Sequence, residues 1–380
     1  MGVPGSKKVL MLVTTAFEPD PRVYREALSL QSHGYQVTVV AWDREARLPS
    51  LERYDGVTVW RYRRKAKVGG RFRQLGGFLG FFRYAWKKLC QDKYDILHCH
   101  DLDTMPVGLA ARLKGIKVVF DAHEADYYNL YPPPFPTLFE VLERLSARCA
   151  DGVALTVGVQ WQKYGGWHIL RAVQLRNVPP RSFAERAALE RRDDERPFTV
   201  GRIGFIKKGV GIEELFEALA RLRHDGYEVE GLLAGKLHPD IRAEFEERLA
   251  RAPYVRYVGS VPYPEVPRYY AKLHVAVAVY TRWEEHRYIT PTKLLECLAC
   301  GVPVIANPVG DVAQLAEKYG GIVLVEEPTA EALTEALRSL LSEPSRLQRL
   351  REEVARTRGE FTWETMEERL LTLYAEVLKS

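Results

Sequence analysis

The chain has 380 residues, 46% of them hydrophobic and 28% charged, with a formal net charge of +5. That length predicts two domains, and the composition excludes a disordered or fibrous chain. No apolar run approaches the roughly 20 residues of a membrane span, and the apolar part of the N-terminal segment is too short for a signal peptide. Five cysteines, an odd number set mostly in apolar contexts, fit a reducing, cytoplasmic compartment rather than a disulfide framework.

In chain order, Lys7 to Val13 is an apolar run of strand type, Thr14 to Pro21 a loop, and Arg22 to His33 a helix closed by Gly34. Strand-like runs follow at Val37 to Ala41, Val57 to Trp60, Ile96 to His98, Val118 to Asp121, Val153 to Val157 and Val173 to Arg176. Helical or loop stretches separate most of them, which implies a parallel, doubly wound sheet. Asn177 to Pro197 breaks the rhythm with Pro179-Pro180 and a charged run, Glu185 to Arg196, and reads as a linker with one surface helix. The pattern then restarts, with strands at Phe198 to Ile203, Val229 to Gly235, Val255 to Gly259, Val275 to Val279, Val302 to Ala306 and Ile322 to Val325. Helices are expected at Ile212 to Asp225, Pro239 to Arg251, Pro291 to Cys300, Thr329 to Leu341, Arg346 to Arg356 and Trp363 to Leu378. The expected fold is α/β, two Rossmann-like doubly wound domains facing a cleft, with ligands at the C-terminal ends of the strands. The domains would be 1–180 and 198–360, joined by a linker at 181–197, with a C-terminal helix over 361–380 free to pack back on the first.

Positive charge is concentrated between Arg61 and Lys93, where eleven basic residues stand against one acid, Asp92, interleaved with Phe72, Phe78, Phe81, Phe82, Tyr84 and Trp86. Basic residues mixed with large aromatics suit an anionic membrane surface or a lipid-linked substrate. The apolar content favours lipid over nucleic acid, and a solvated loop before a buried helix is the alternative.

Thr290-Pro291 opens a short apolar helix, Lys293 to Ala299, and Gly301 stops it, the expected asymmetry of helix ends. An open helix N-terminus attracts anions through its unpaired N–H groups and its dipole. Glu296 lies one turn in, where a carboxylate reaches ribose hydroxyls; an ordinary αβ unit with a surface glutamate is the alternative. Earlier, Gly201-Arg202-Ile203-Gly204-Phe205-Ile206-Lys207-Lys208-Gly209 puts two cations around a turn leaving a strand, where an Arg fork and a Lys point charge can converge on a diphosphate. Neither a Walker A pattern nor an acidic nucleotide finger accompanies it, which argues against a kinase or NAD enzyme. Cys297-x-x-Cys300 lies within a helix without a second pair and reads as packing. His98 and His100 share one face of a strand with Asp101 and Asp103 beyond, but no metal is expected there.

Taken in series, Arg202 and Lys208, Leu232 to Gly235, Val258-Gly259-Ser260-Val261-Pro262, and Pro291-Thr292-Lys293-Leu294-Leu295-Glu296 with Gly301 to Ile305 resemble the nucleotide-sugar domain of GT-B glycosyltransferases, specifically the large retaining group numbered family 4. In the first half Asp20-Pro21-Arg22-Val23, His98-Cys99-His100-Asp101 and Asp121-Ala122-His123-Glu124 resemble that family's acceptor-side segments. The resemblance runs from about Lys7 to Leu378. It implies that Arg202 and Lys208 hold the donor diphosphate, that Glu296 binds the ribose, and that the turn containing Val261 borders the base. His123 would lie near the transferred sugar and count with Arg202 and Lys208 as catalytic. Lys293, Thr292 and Gly235 complete the donor-binding set; Asp20, Arg22, His100, Asp101 and Glu124 form the acceptor side. No metal or other cofactor is implied, the nucleotide sugar being a co-substrate. Two departures stand out: Tyr288 replaces a second Glu that the family often carries, with Glu284 or Glu285 as nearby acids, and Phe17-Glu18-Pro19-Asp20-Pro21 replaces a double glycine.

The expected activity is retaining transfer of a sugar from a UDP- or GDP-linked donor to a hydroxyl of a lipid-linked or glycan acceptor, in cell-surface glycan synthesis. The partners would be that donor, that acceptor and an anionic membrane surface through 61–93, with no nucleic acid. A nucleotide-sugar epimerase on the same fold and a catalytically silent nucleotide-sugar binding protein are the alternatives.

Overall fold

A computed structural model describes residues 6–18, 20–66, 75–123, 132–164, 169, 171–190, 197–281 and 289–379. The chain divides into two compact units, Met1–Arg176 with Met366–Ser380, and Asn177–Thr365.

Unit 1 is built on eight strands: β1 (Lys8–Val13), β2 (Gln36–Asp43), β3 (Leu51–Tyr54), β4 (Val57–Arg63), β5 (Ile96–His100), β6 (Lys117–Ala122), β7 (Gly152–Leu155) and β8 (Ala172–Gln174). They lie in the order β3-β4-β2-β1-β5-β6-β7-β8. The central strands are buried on both faces, as their continuous apolar runs require of a parallel sheet. Among the described strands only β3 is antiparallel to its neighbour, through a hairpin whose two turn residues, Asp55 and Gly56, have positive φ. The helices are α1 (Pro21–Ser32), α2 (Leu75–Gln91), α3 (Met105–Arg112), α4 (Phe135–Cys149) and α5 (Val159–Tyr164). Asp20 caps α1 by accepting from the Arg22 and Val23 amides.

The basic-aromatic stretch divides differently from its sequence reading. Phe81 is buried, and Phe78 and Phe82 pack against the core beside Trp42, because Phe78, Phe81, Ala85 and Leu89 recur at helical spacing on one face of α2. Arg61 is likewise buried, its guanidinium bonded to Glu52 and to the carbonyls of Ala16 and Phe17. These residues serve packing and loop anchoring; 67–74 lies outside the described residues.

Unit 2 has six parallel strands: β9 (Phe198–Ile203), β10 (Val229–Ala234), β11 (Val255–Tyr257), β12 (Val275–Ala278), β13 (Val304–Ala306) and β14 (Ile322–Leu324). Their order is β11-β10-β9-β12-β13-β14. Residues 181–197, expected as a linker, open with a helix of this unit, α6 (Arg181–Glu190), in which Phe183 stacks on Tyr263 at 5.0 Å while Ala184 and Ala187 are buried. The one surface helix expected within this stretch is therefore present, and its narrow apolar face is packed within unit 2. The remaining helices are α7 (Ile212–His224), α8 (Arg242–Arg251), α9 (Val266–Tyr270), α10 (Thr292–Ala299), α11 (Val312–Tyr319), α12 (Ala330–Ser342), α13 (Pro344–Thr357) and α14 (Trp363–Lys379).

The division between the units falls inside α14, at Met366. From there on, Met366, Leu370, Leu373, Tyr374 and Val377 are buried, and Leu373 and Val377 press so closely on Gly152 of β7 that a Cβ there would come within 3 Å of both.

Candidate active site

In an open α/β sheet, ligands bind where the strand order reverses, at the C-terminal ends. In unit 2 that switch lies between β9 and β12. Arg202 sits at the end of β9, buried, donating through Nη1 to the Val277 carbonyl at 3.2 Å and lying 5.0 Å from the Tyr280 ring. Its Nε is buried and finds no hydrogen-bond partner among the described residues, which leaves an unsatisfied donor beside the switch point.

Lys293, in the first turn of α10, lays its stem against Gly204 just beyond β9: a Cβ at that glycine would meet its Cγ, Cδ and Cε at 3.1–3.2 Å. Its Nζ lies 2.9 Å from both carboxylate oxygens of the buried Glu296, which also accepts from the Tyr270 hydroxyl at 2.8 Å. The two residues expected to take phosphate and ribose are therefore paired with each other. Thr292 is the first residue of α10, whose N-terminus no side chain caps. Gly235, just past β10, lies so close to Gly204 that a Cβ would fall 1.8 Å from the Gly204 carbonyl oxygen, and its amide donates to the Gly259 carbonyl in the turn that carries Val261. The Arg202-to-Lys208 loop, with Lys208 exposed, leads into α7. Tyr288, Glu284 and Glu285 lie outside the described residues.

In unit 1 the switch lies between β1 and β5, and a buried polar cluster occupies it. Asp121 at the end of β6 accepts from Arg22 Nη2 at 2.7 Å and faces His123 Nε2 at 2.8 Å. His100 Nδ1 is 2.9 Å from the same His123 nitrogen and 3.3 Å from Asp121. The rings of His98 and His100 stack at 4.3 Å, and His98 meets the Tyr374 hydroxyl at 2.7 Å. Arg22 also bonds the Leu175 carbonyl at 2.7 Å and lies 3.1 Å from Glu26. Asp101 accepts from the His123 amide, while the side chain of Asp20 is engaged in the α1 cap. Glu124 lies outside the described residues.

The electrostatics follow from burial and the Arg22 charge. Burial pushes the Asp121 carboxyl up, but Arg22 and His123 outweigh it and hold it well below the usual carboxylate range. Burial and then the Asp121 charge drive Glu26 well above that range, against the opposing pull of Arg22. Burial lowers His123, yet Asp121 and Asp101 raise it to about 9 against Arg22. His100 is held well below its ordinary value by burial and by His98. The cluster therefore presents one imidazolium, His123, at the edge of a neutral, buried histidine pair.

Glu26, His98, His100 and Asp121 bring one ligand atom each within 4.8 Å of one another, a donor set able to take a transition metal. Arg22 already lies against both carboxylates, and its charge opposes that of an ion. Glu26 and Tyr374 were absent from the sequence-derived site. Arg22 and Glu26, one helical turn apart on α1, carry the only signal that would have found the former.

Two family models match the chain side by side: "Glycosyl transferase 4-like domain" over residues 19–181 and "Glycosyl transferases group 1" over 196–343. A D-inositol 3-phosphate glycosyltransferase from Catenulispora acidiphila is 26% identical over 91% of this chain and 87% of its own. Among solved structures, the sucrose-phosphate synthase of Thermosynechococcus elongatus superposes with a TM-score of 0.73 at 18% identity, covering 98% of this chain and 99% of that one. The Anabaena protein HepE in complex with UDP gives 0.72 at 14% identity, covering 97% and 99%. These structures share the GT-B fold with this chain. With the two family matches spanning most of its length, the chain belongs to the group 1 glycosyltransferases.

Proposed function

We propose that this enzyme transfers a sugar, with retention of anomeric configuration, from a nucleotide-diphosphate donor bound on unit 2 to an acceptor hydroxyl handled by unit 1. The observation that carries the donor site is the buried Arg202 guanidinium with an unused donor at the β9–β12 switch point, next to Lys293. Arg202, Lys208 and Lys293 would neutralise the diphosphate, and Arg202 would stabilise charge on the departing phosphate, electrostatic work done without reorganisation. Glu296 would exchange its Lys293 bond for the ribose hydroxyls, releasing Lys293 to the phosphates. On unit 1 the His123 imidazolium, fixed by Asp121, would face the transferred sugar.

HepE was solved with UDP, which makes a UDP-linked donor the first to test. The acceptor is read as a lipid-linked or glycan hydroxyl. Retention rests on the motifs shared with a retaining family, and NMR of the product's anomeric proton tests it. For the site, thermal unfolding with UDP, GDP, ADP and CMP is compared between the wild-type protein and Arg202→Ala. A nucleotide at 100 times its Kd adds about 2.7 kcal/mol; one nucleotide should shift the wild type and not the variant. Transfer by Arg202→Ala should fall about 100-fold or more, and near-normal turnover would sink the assignment.

A further inference from the structure

Seven of the twelve large apolar side chains exposed among the described residues lie on four consecutive helices of unit 1, and an eighth directly follows one of them. Leu79 is on α2, Leu109 on α3, Trp161 on α5, and α4 carries an unbroken stripe, Leu138, Val141, Leu142 and Leu145, at i, i+3, i+4 and i+7. Leu113, just past α3, is 91% exposed. The connections β4–β5, β5–β6, β6–β7 and β7–β8 all run in one direction across the sheet. Right-handed crossovers therefore put α2 to α5 on the same face. The exposed apolar residues belong to one layer, and a patch of this kind marks an interaction surface.

Charge identifies what covers it. Arg83, Lys87 and Arg148 are exposed on the same helices, as is Arg112, which is ion-paired to Asp151. The acids within those helices are Glu140, ion-paired to Arg144, and Glu143, which is buried. A second copy of the chain docking by this face would oppose like charges. An anionic bilayer satisfies both the apolar stripe and the cations, and Trp161 has the amphipathic character of an interfacial anchor.

We infer that the α2–α5 face of unit 1 docks on an anionic lipid surface, with α4 as its apolar centre. This extends the membrane contact expected at 61–93 to α3, α4 and α5: Leu79, Arg83 and Lys87 of that stretch stay on the docking face while Phe78 and Phe81 serve the core, and it deepens the lipid-linked acceptor reading on which its purpose rests.

The test is co-sedimentation of the full chain with phosphatidylcholine vesicles, with and without phosphatidylglycerol, at low and raised salt. The wild type should pellet with the anionic vesicles only, and less so in salt. Leu142→Glu should lower partition about tenfold or more, since a leucine that docking would bury is replaced by a charge. Lys87→Ala and Arg148→Ala should each lower it about fivefold. All three positions are solvent-facing, and an unchanged Tm confirms folding of each variant. Failure of the wild type to pellet, or pelleting of Leu142→Glu at the wild-type level, overturns the inference. So does a concentration-dependent dimer, seen by ultracentrifugation, that Leu142→Glu dissociates. Donor-induced thermal shift on the same preparations reads the transferase assignment separately: vesicle binding without any nucleotide shift refutes the donor site alone, and the reverse result refutes the docking face alone.

Discussion

Replacing Arg22 with methionine isolates the charge on which the unit 1 cluster is built. The side chain bonds Asp121 and the Leu175 carbonyl, each at 2.7 Å, and lies 3.1 Å from Glu26, all in the interior. Methionine fills much of the volume and supplies none of the charge, so Asp121 is left ionised and buried with His123 as its remaining cation. Removing one partner of a buried pair costs about 3–5 kcal/mol. In a unit of this size each kcal/mol lowers the Tm by roughly 2–4 °C, so the unit 1 transition should fall by about 6–20 °C. Because two units unfold, amide exchange in β1, β5 and β6 reports the loss more specifically than a global melt. Pairing the change with Asp121→Asn removes the stranded charge, so the double variant should be more stable than the sum of the two singles predicts. A shift of less than about 2 °C, or strict additivity, would refute the view that Arg22 neutralises this cluster.

Other consequences follow from the same geometry. His123 is raised to about 9, so its contribution to stability is complete below its unfolded value near 6.5 and is lost as pH rises through about 9. Unfolding measured from pH 6 to 10 should show that decline, and His123→Gln should flatten it. Gly235→Ala places a methyl against the Gly204 carbonyl at a φ of 139°, and it should yield insoluble protein or abolish nucleotide-induced stabilisation; a normal melt with a normal shift would contradict the close approach. Asp20→Ala deletes the α1 cap and should cost about 1 kcal/mol, visible in denaturant midpoints, with nucleotide binding to unit 2 unchanged.

Much of this architecture is readable from the chain because buried parallel strands are simply apolar runs: the sequence boundaries of β9 match those observed, and α10 emerges from its proline and glycine limits. What escaped has identifiable causes. The edge strand β3, Leu-Glu-Arg-Tyr, lacks an apolar run, and its signal lay in the Asp55-Gly56 turn. The aromatics of α2 read as surface-active beside so many cations, although their helical spacing assigns them to one inward face. Tyr374 stands 276 positions from His98, and no local pattern couples them. The Lys293–Glu296 pairing, three residues apart on a helix, was legible in spacing but was read as two separate ligand contacts.

The last helix imposes an order of assembly. The side chains that close the β7 side of unit 1, Leu373 and Val377, and the hydroxyl that bonds His98 are encoded after the whole of unit 2. During synthesis domains generally fold as they emerge, N-terminal first. Here the first unit must wait with an open apolar seam until the second has been made. A nascent chain halted before residue 366 should therefore carry a protected unit 2 beside a protease-sensitive unit 1, the reverse of the order in which the ribosome delivers them.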